Sequence, residues 1–115
     1  MKEFHCNIRI RVKRKESHEE ASFGRGVADL LHGVQNYHSL NQAAKDMEMA
    51  YSKAWRVIRQ AEDALGIELL YRMGKNGSAL TSDAEKFLQV YEEAQSEASK
   101  AAYKVFEKYY KESGQ

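Results

Sequence analysis

Proline is absent from the 115 residues. Its absence excludes polyproline recognition segments and proline-kinked helices, and leaves the turns to glycine and short polar residues. Cysteine occurs once, at Cys6. One thiol cannot form an intramolecular disulfide, so a disulfide-stapled fold is excluded and a reducing compartment is expected. No apolar run approaches the ~20 residues of a membrane span, and no charged n-region precedes an apolar h-region. The expectation is a soluble, cytoplasmic protein with no membrane partner. An excess of either charge is also lacking, since 18 Lys/Arg against 17 Asp/Glu leave a formal charge of +1. The sum therefore does not announce a nucleic-acid binder, which often has a strongly basic domain.

The distribution of charge says more than its sum. Residues 1–15 carry six Lys/Arg against Glu3, a local +5, whereas residues 82–115 carry five Lys against seven Asp/Glu, a local −2. A chain of this length suits one domain with a modest core.

Residues 39–65 organise the rest. Ser39 is a good N-cap, because its hydroxyl can accept an unpaired N–H of the first helical turn. Leu40, Ala43, Ala44 and Met47 then recur at helical spacing, and the small pair Ala43-Ala44 permits close approach of a neighbouring helix. After Met47-Glu48-Met49 the periodicity resumes in a new phase. Ala54, Ile58, Ala61 and Leu65 share one face with Val57 at its edge, and Ser52, Arg56, Arg59, Gln60 and Asp63 share the other. Lys53 and Trp55 flank that polar face, and Gly66 stops the helix by permitting a left-handed residue. Two short helices with a tight turn match the helix-turn-helix plan, whose second helix enters the major groove.

Before this unit, residues 4–12 alternate. Phe4, Cys6, Ile8, Ile10 and Val12 face one side, with His5, Asn7, Arg9 and Arg11 on the other. This predicts a half-buried strand with a basic outer face. The face can meet phosphate, or simply be solvated and discourage edge pairing. Ala21-Ser22-Phe23 is a candidate return strand. A helix is expected over about 26–37, with Val27, Leu30, Leu31 and Val34 buried.

After Gly66, two short apolar runs flank Gly74-Lys75-Asn76-Gly77, and Asn-Gly favours a tight hairpin turn. This predicts a two-stranded wing with Arg72 and Lys75 near its tip. Thr81 or Ser82 caps the last helix, and Ser82-Asp83-Ala84-Glu85 fits a capping box. Nothing breaks that helix before about Lys111, a length of roughly 45 Å. Along it Leu88, Tyr91, Gln95, Ala98, Ala102, Val105 and Tyr109 follow alternating spacings of 3 and 4, a helix-pairing seam with one polar interruption. So small a domain covers only part of so long a helix, so the outer half is expected to pack on a second copy. The dimerisation residues are then Leu88, Tyr91, Ala98, Ala102, Val105 and Tyr109.

The expected fold is mainly α with a small β component: a winged helix-turn-helix with an N-terminal strand or hairpin and a long C-terminal dimerisation helix. Its single domain divides into a basic strand region at 1–24, a three-helix core at 26–66 and a wing at 67–81, with the long helix at 82–112. Catalytic chemistry has no visible constellation. Glu62 and Asp63 are adjacent on a helix and point apart, Cys6 lacks a paired base, and no glycine-rich phosphate loop occurs. The four histidines, at 5, 18, 32 and 38, show no metal-ligand spacing. Neither enzyme activity, metal nor cofactor is expected.

Residues 39–81 resemble the winged helix-turn-helix of LysR-type transcriptional regulators. The resemblance rests on Ser39-Leu40-x-x-Ala43-Ala44, the second helix, Leu65-Gly66-Ile67-x-Leu69-Leu70-x-Arg72, and Leu80-Thr81. Within that superfamily the chain is most similar to the N-terminal domain of the ModE-type, molybdate-responsive regulators. Phe23-Gly24-Arg25-Gly26 and Ala50-Tyr51-Ser52-Lys53-Ala54-Trp55-Arg56 carry this likeness, with the basic N-terminal segment. Arg25 stands where that family has Pro, and the wing is shorter. That family's oxyanion-binding domains have no counterpart in these residues, so molybdate binding is not expected from this chain.

The resemblance implies a sequence-specific DNA-binding regulator acting on duplex DNA, with a homodimer on an inverted repeat. Tyr51, Ser52, Lys53, Trp55, Arg56, Arg59, Arg72 and Lys75 are the candidate DNA-binding residues. Trp55 has two readings, contact with the duplex or packing against the wing and first helices. The competing function is a winged-helix protein-interaction module or adaptor, which the near-neutral charge suits.

Overall fold

The computed structural model describes residues 4–18, 20–72 and 77–111. Its elements run α1 (Arg25–Tyr37), α2 (Leu40–Asp46), α3 (Tyr51–Leu65), β1 (Leu70–Arg72), β2 (Ser78–Leu80) and α4 (Ser82–Tyr110). The two strands pair antiparallel, with Leu70 opposite Leu80, Tyr71 opposite Ala79 and Arg72 opposite Ser78. The expected winged helix-turn-helix is present.

The local signals behave as the residue types dictate. Ser39 accepts from the Gln42 N–H at 3.1 Å, and Gly66 ends α3 at φ 74°. The stripe of α1 buries Val27, Leu30, Leu31 and Val34, with Ala28 added. In α3 the buried set is Ala54, Ile58, Ala61 and Ala64, so the stripe ends on Ala64 and Leu65 is only half-buried. The α4 cap is Thr81, whose hydroxyl oxygen accepts from the Ala84 N–H at 3.0 Å. With Thr81 as cap, the third helical position is Ala84, so the capping box suggested by Ser82 and Glu85 has no register here. The Thr81 hydroxyl also donates to the Glu68 carbonyl at 2.6 Å, tying the start of α4 to the segment entering β1.

The core gathers where α1, α2, α3, the wing and the start of α4 converge. Phe23 is its anchor, fully buried and set edge-on to Phe87 at 4.8 Å and Tyr91 at 5.1 Å. Burial of an aromatic or aliphatic side chain of this size stabilises by about 1.5–3 kcal/mol.

One expectation needs correction. Residues 4–12 do not form a regular strand; the segment makes a single antiparallel bridge, Val12 to Phe23, with both backbone hydrogen bonds at 2.8 Å. The alternation of sidedness is real, since Cys6, Ile8, Ile10 and Val12 are half-buried while His5, Asn7, Arg9 and Arg11 are exposed. What replaces a partner strand is the side of α4. Gln95 Oε1 accepts from the Ile10 N–H at 3.1 Å, Gln95 Nε2 donates to the Ile8 carbonyl, and the Tyr91 hydroxyl donates to the Ile10 carbonyl at 3.1 Å. Backbone groups satisfied by side chains need no ladder. Further out, Phe4 lies 5.5 Å from Phe106 and 5.2 Å from Tyr110, ring to ring.

Candidate nucleic-acid interface

The amphipathic pattern of α3 decides which side chains reach outward. Its buried alanines and Ile58 pack inward, so Tyr51, Ser52, Lys53, Arg56 and Arg59 are exposed together along the helix. Arg72, at the end of β1, is exposed and joins them from the wing. Its guanidinium lies over the Trp55 ring, 4.4 Å from the centroid, and that of Arg59 lies 5.5 Å from the same centroid. Tyr51 meets Trp55 edge-on at 6.5 Å.

Of the eight DNA-binding candidates, Tyr51, Trp55, Arg59 and Arg72 are thus gathered by ring contacts, and Ser52, Lys53 and Arg56 are exposed on the same helix. The eighth, Lys75, lies outside the described residues. Trp55 differs from the rest, being half-buried, with its indole Nε1–H shut away from solvent and without an acceptor among the described residues. A cleft of about 470 Å³ opens between Ser39, Leu40, Asn41, Tyr51, Arg72 and Ser78.

Hydrogen bonds tie the wing to the end of α1 and the residue before β1 to a side chain of α3. The Ser78 N–H donates to the His38 carbonyl at 2.9 Å, and the Leu69 N–H donates to Glu62 Oε2 at 2.8 Å. Gly77 sits at φ 87°, and a Cβ there would collide with the His38 carbonyl oxygen. Both facts require glycine.

The far end of α3 is held by Arg14, a residue that no local pattern singles out. Arg14 donates from Nη2 to the Asp63 carbonyl at 2.8 Å, and its backbone N–H donates to the Ala64 carbonyl at 2.9 Å. A cation on the last carbonyls of a helix satisfies orphan acceptors and favours the negative end of the helix dipole. Arg14 read only as part of a basic run, and its partners are about fifty residues away, so no local signal marked it.

The dimerisation candidates divide. Leu88 and Tyr91, 3% and 2% exposed, belong to the chain's own core, and burial raises the Tyr91 phenol above its ordinary range. Ala98 and Ala102 are half-buried, whereas Val105 and Tyr109 are 57% and 70% exposed. The polar interruption of the seam, Gln95, is the residue that binds residues 8–10. Among the described residues no cluster of three or more His, Cys, Asp or Glu is placed to hold a metal ion. No described helix is long and apolar enough to cross a membrane.

A three-helix core carrying a two-stranded hairpin directly behind its outward helix defines a winged helix-turn-helix domain. Residues 29–85 match the family described as bacterial regulatory helix-turn-helix protein, lysR family. The chain is also 40% identical over 67 residues to the transcriptional regulator ModE of Haemophilus influenzae, a match covering 55% of this chain and 26% of that protein. The chain thus carries a ModE-type helix-turn-helix domain of the LysR family, the kind that serves bacterial transcriptional regulators. It spans about a quarter of the length of that relative.

Proposed function

We propose that this chain binds duplex DNA in a sequence-specific manner and regulates transcription, acting as a homodimer with α3 in the major groove and the wing on the backbone. The observation that carries the proposal is the convergence of Ser52, Arg56 and Arg59 of α3 with Arg72 of the wing on one exposed side. Arg56 and Ser52 stand on the outward face of α3, where base edges would be met. An arginine fork can bond both acceptors of a guanine, with about 1–3 kcal/mol of discrimination. Arg59, Arg72 and Lys53 neutralise phosphates and release counterions, which makes affinity fall with salt.

The dimer in this proposal forms through the outer part of α4. Val105 and Tyr109 are exposed there, and Ala98 and Ala102 are small enough for two helices to approach closely. A two-fold dimer sets its recognition helices ~34 Å apart or a multiple of that, on an inverted repeat.

The test is fluorescence anisotropy of labelled duplexes from the DNA upstream of the protein's own gene, at two salt concentrations, with Arg56→Ala in parallel. The expected result is tight binding that weakens steeply with salt and loses sequence preference in the variant. A well-folded dimer that binds no duplex at low salt would replace this reading with that of a protein-interaction module.

A further inference from the structure

We propose that Trp55 acts as a positioning residue: its indole is the platform on which Arg59 of α3 and Arg72 of the wing are held, so that recognition helix and wing meet the duplex as one unit. The inference rests on the DNA-binding reading and assigns the arginines' geometry to a residue that itself need not touch DNA.

Three observations carry it. The guanidinium groups of Arg72 and Arg59 lie 4.4 and 5.5 Å from the same ring centroid, within the distance at which a cation is drawn to an indole. Neither arginine has a carboxylate partner among the described residues, whereas Arg25 engages both Asp29 and Glu92. An arginine oriented by an acid has its charge neutralised; one oriented by a ring keeps its charge and its N–H fork for a phosphate. Third, the indole N–H is buried without an acceptor among the described residues. A phenyl ring would fill the slot without forfeiting a hydrogen bond, so the position makes use of the indole's π face, the strongest of the aromatic faces toward a cation.

The two arginines come from different elements, and this is what gives the platform its consequence. Arg59 is one turn along α3 from Trp55, but Arg72 arrives through the hairpin. Without the ring, each exposed side chain must be ordered separately on binding, and each ordering opposes association.

Trp55 is the only tryptophan in the chain, so its fluorescence reports on the platform directly. The first arm uses DNA-free protein and measures acrylamide quenching of the wild type, Arg72→Ala and Arg59→Ala. Removing the covering guanidinium of Arg72 is expected to raise the quenching constant about twofold, with a smaller rise for Arg59 at its longer distance. Unchanged quenching in both variants overturns the platform.

The second arm titrates a random-sequence 20-base-pair duplex with the wild type, Trp55→Phe and Trp55→Leu over a range of salt. Trp55→Leu is expected to bind about tenfold more weakly, with a log Kd against log salt slope shallower by about one to two phosphate contacts at ~0.9 each. Trp55→Phe, which keeps an aromatic face, is expected to recover most of the loss, so a fall caused by misfolding alone is distinguished. A Trp55→Leu protein with wild-type affinity and slope overturns this inference and leaves the DNA-binding reading standing. A wild type that binds no duplex at low salt overturns both, whatever the quenching shows.

Discussion

Gly33 of α1 lies so close to Ala43 of α2 that a Cβ at position 33 would fall 2.5 Å from the Ala43 Cβ. The first two helices cross at a separation only a glycine permits. Two effects compete in Gly33→Ala. Helix propensity favours alanine in a helix interior by about 1 kcal/mol. Overpacking of two rigid Cβ atoms opposes it by about 1–3 kcal/mol. Neither helix can yield cheaply, because Leu30, Leu31, Leu40 and Ala44 fix both in the core. The variant is therefore expected to be destabilised by up to about 2 kcal/mol, the overpacking less the propensity gain, in urea unfolding, and Gly33→Ala with Ala43→Gly to recover most of the loss. A Gly33→Ala protein more stable than wild type would show that the crossing relaxes freely.

Gln95 governs the placement of residues 8–10. Gln95→Leu keeps the volume and removes both amide bonds, leaving the Ile10 N–H and Ile8 carbonyl to find water. The expected loss is about 1–3 kcal/mol, the cost of groups left unsatisfied. Amide exchange at Ile10 should accelerate while exchange in the middle of α3 is little changed. Equal acceleration at both positions would mean that residues 4–12 and the helical core open together.

Tyr91 adds a pH dependence of defined sign. Burial raises its phenol above the ordinary value of 10.0, so the protonated form is favoured when folded. Its contribution is fully present below that value and falls as pH rises through the higher folded value. Tyr91→Phe, which loses the donor to the Ile10 carbonyl, is expected to be less stable near neutrality by about 0.5–1.5 kcal/mol. The gap to wild type should narrow in strongly alkaline solution. A gap constant with pH would show that the phenol does not titrate with folding.

Val105 tests the proposed dimer. It is exposed in the isolated chain, so Val105→Glu should leave the fold of one copy intact, while a carboxylate buried between two helices is strongly unfavourable. Sedimentation is expected to show the wild type as a dimer and the variant as a folded monomer. A variant that remains dimeric would move the contact away from the outer face of α4.

Much of this architecture was legible because its signals are short-range. Ser39, Gly66 and the phase break at Met47 mark helix boundaries through the backbone itself, and the apolar spacings of α1 and α3 determine which faces turn inward. The candidates on α3 followed from those faces. What escaped detection depends on residues distant in sequence. Alternation over residues 4–12 specified which side chains are buried, but not that a helix would supply the hydrogen bonds of a missing strand. Gln95 therefore read as a flaw in a seam. Leu88 and Tyr91 fitted the seam's spacing equally well, yet periodicity cannot distinguish a stripe facing the chain's own core from one facing a second copy. Arg14 escaped for the same reason, since its partners lie at the end of a helix about fifty residues on. Trp55, by contrast, was singled out with packing against the wing as one reading, and only the pairing of its ring with Arg59 and Arg72 was not.

The contact between Arg14 and the end of α3 also bears on how such sequences can change. A Cβ at Gly66 would lie 2.9 Å from the Arg14 guanidinium, so the glycine serves the left-handed backbone and makes room for the arginine at once. Loss of Arg14 removes one of those two demands and not the other. Among relatives, position 66 should tolerate asparagine, which also accepts that backbone, mainly where position 14 has given up its arginine. Two sites far apart along the chain would then drift as a pair, leaving in the evolutionary record a trace of a clamp that neither site reveals alone.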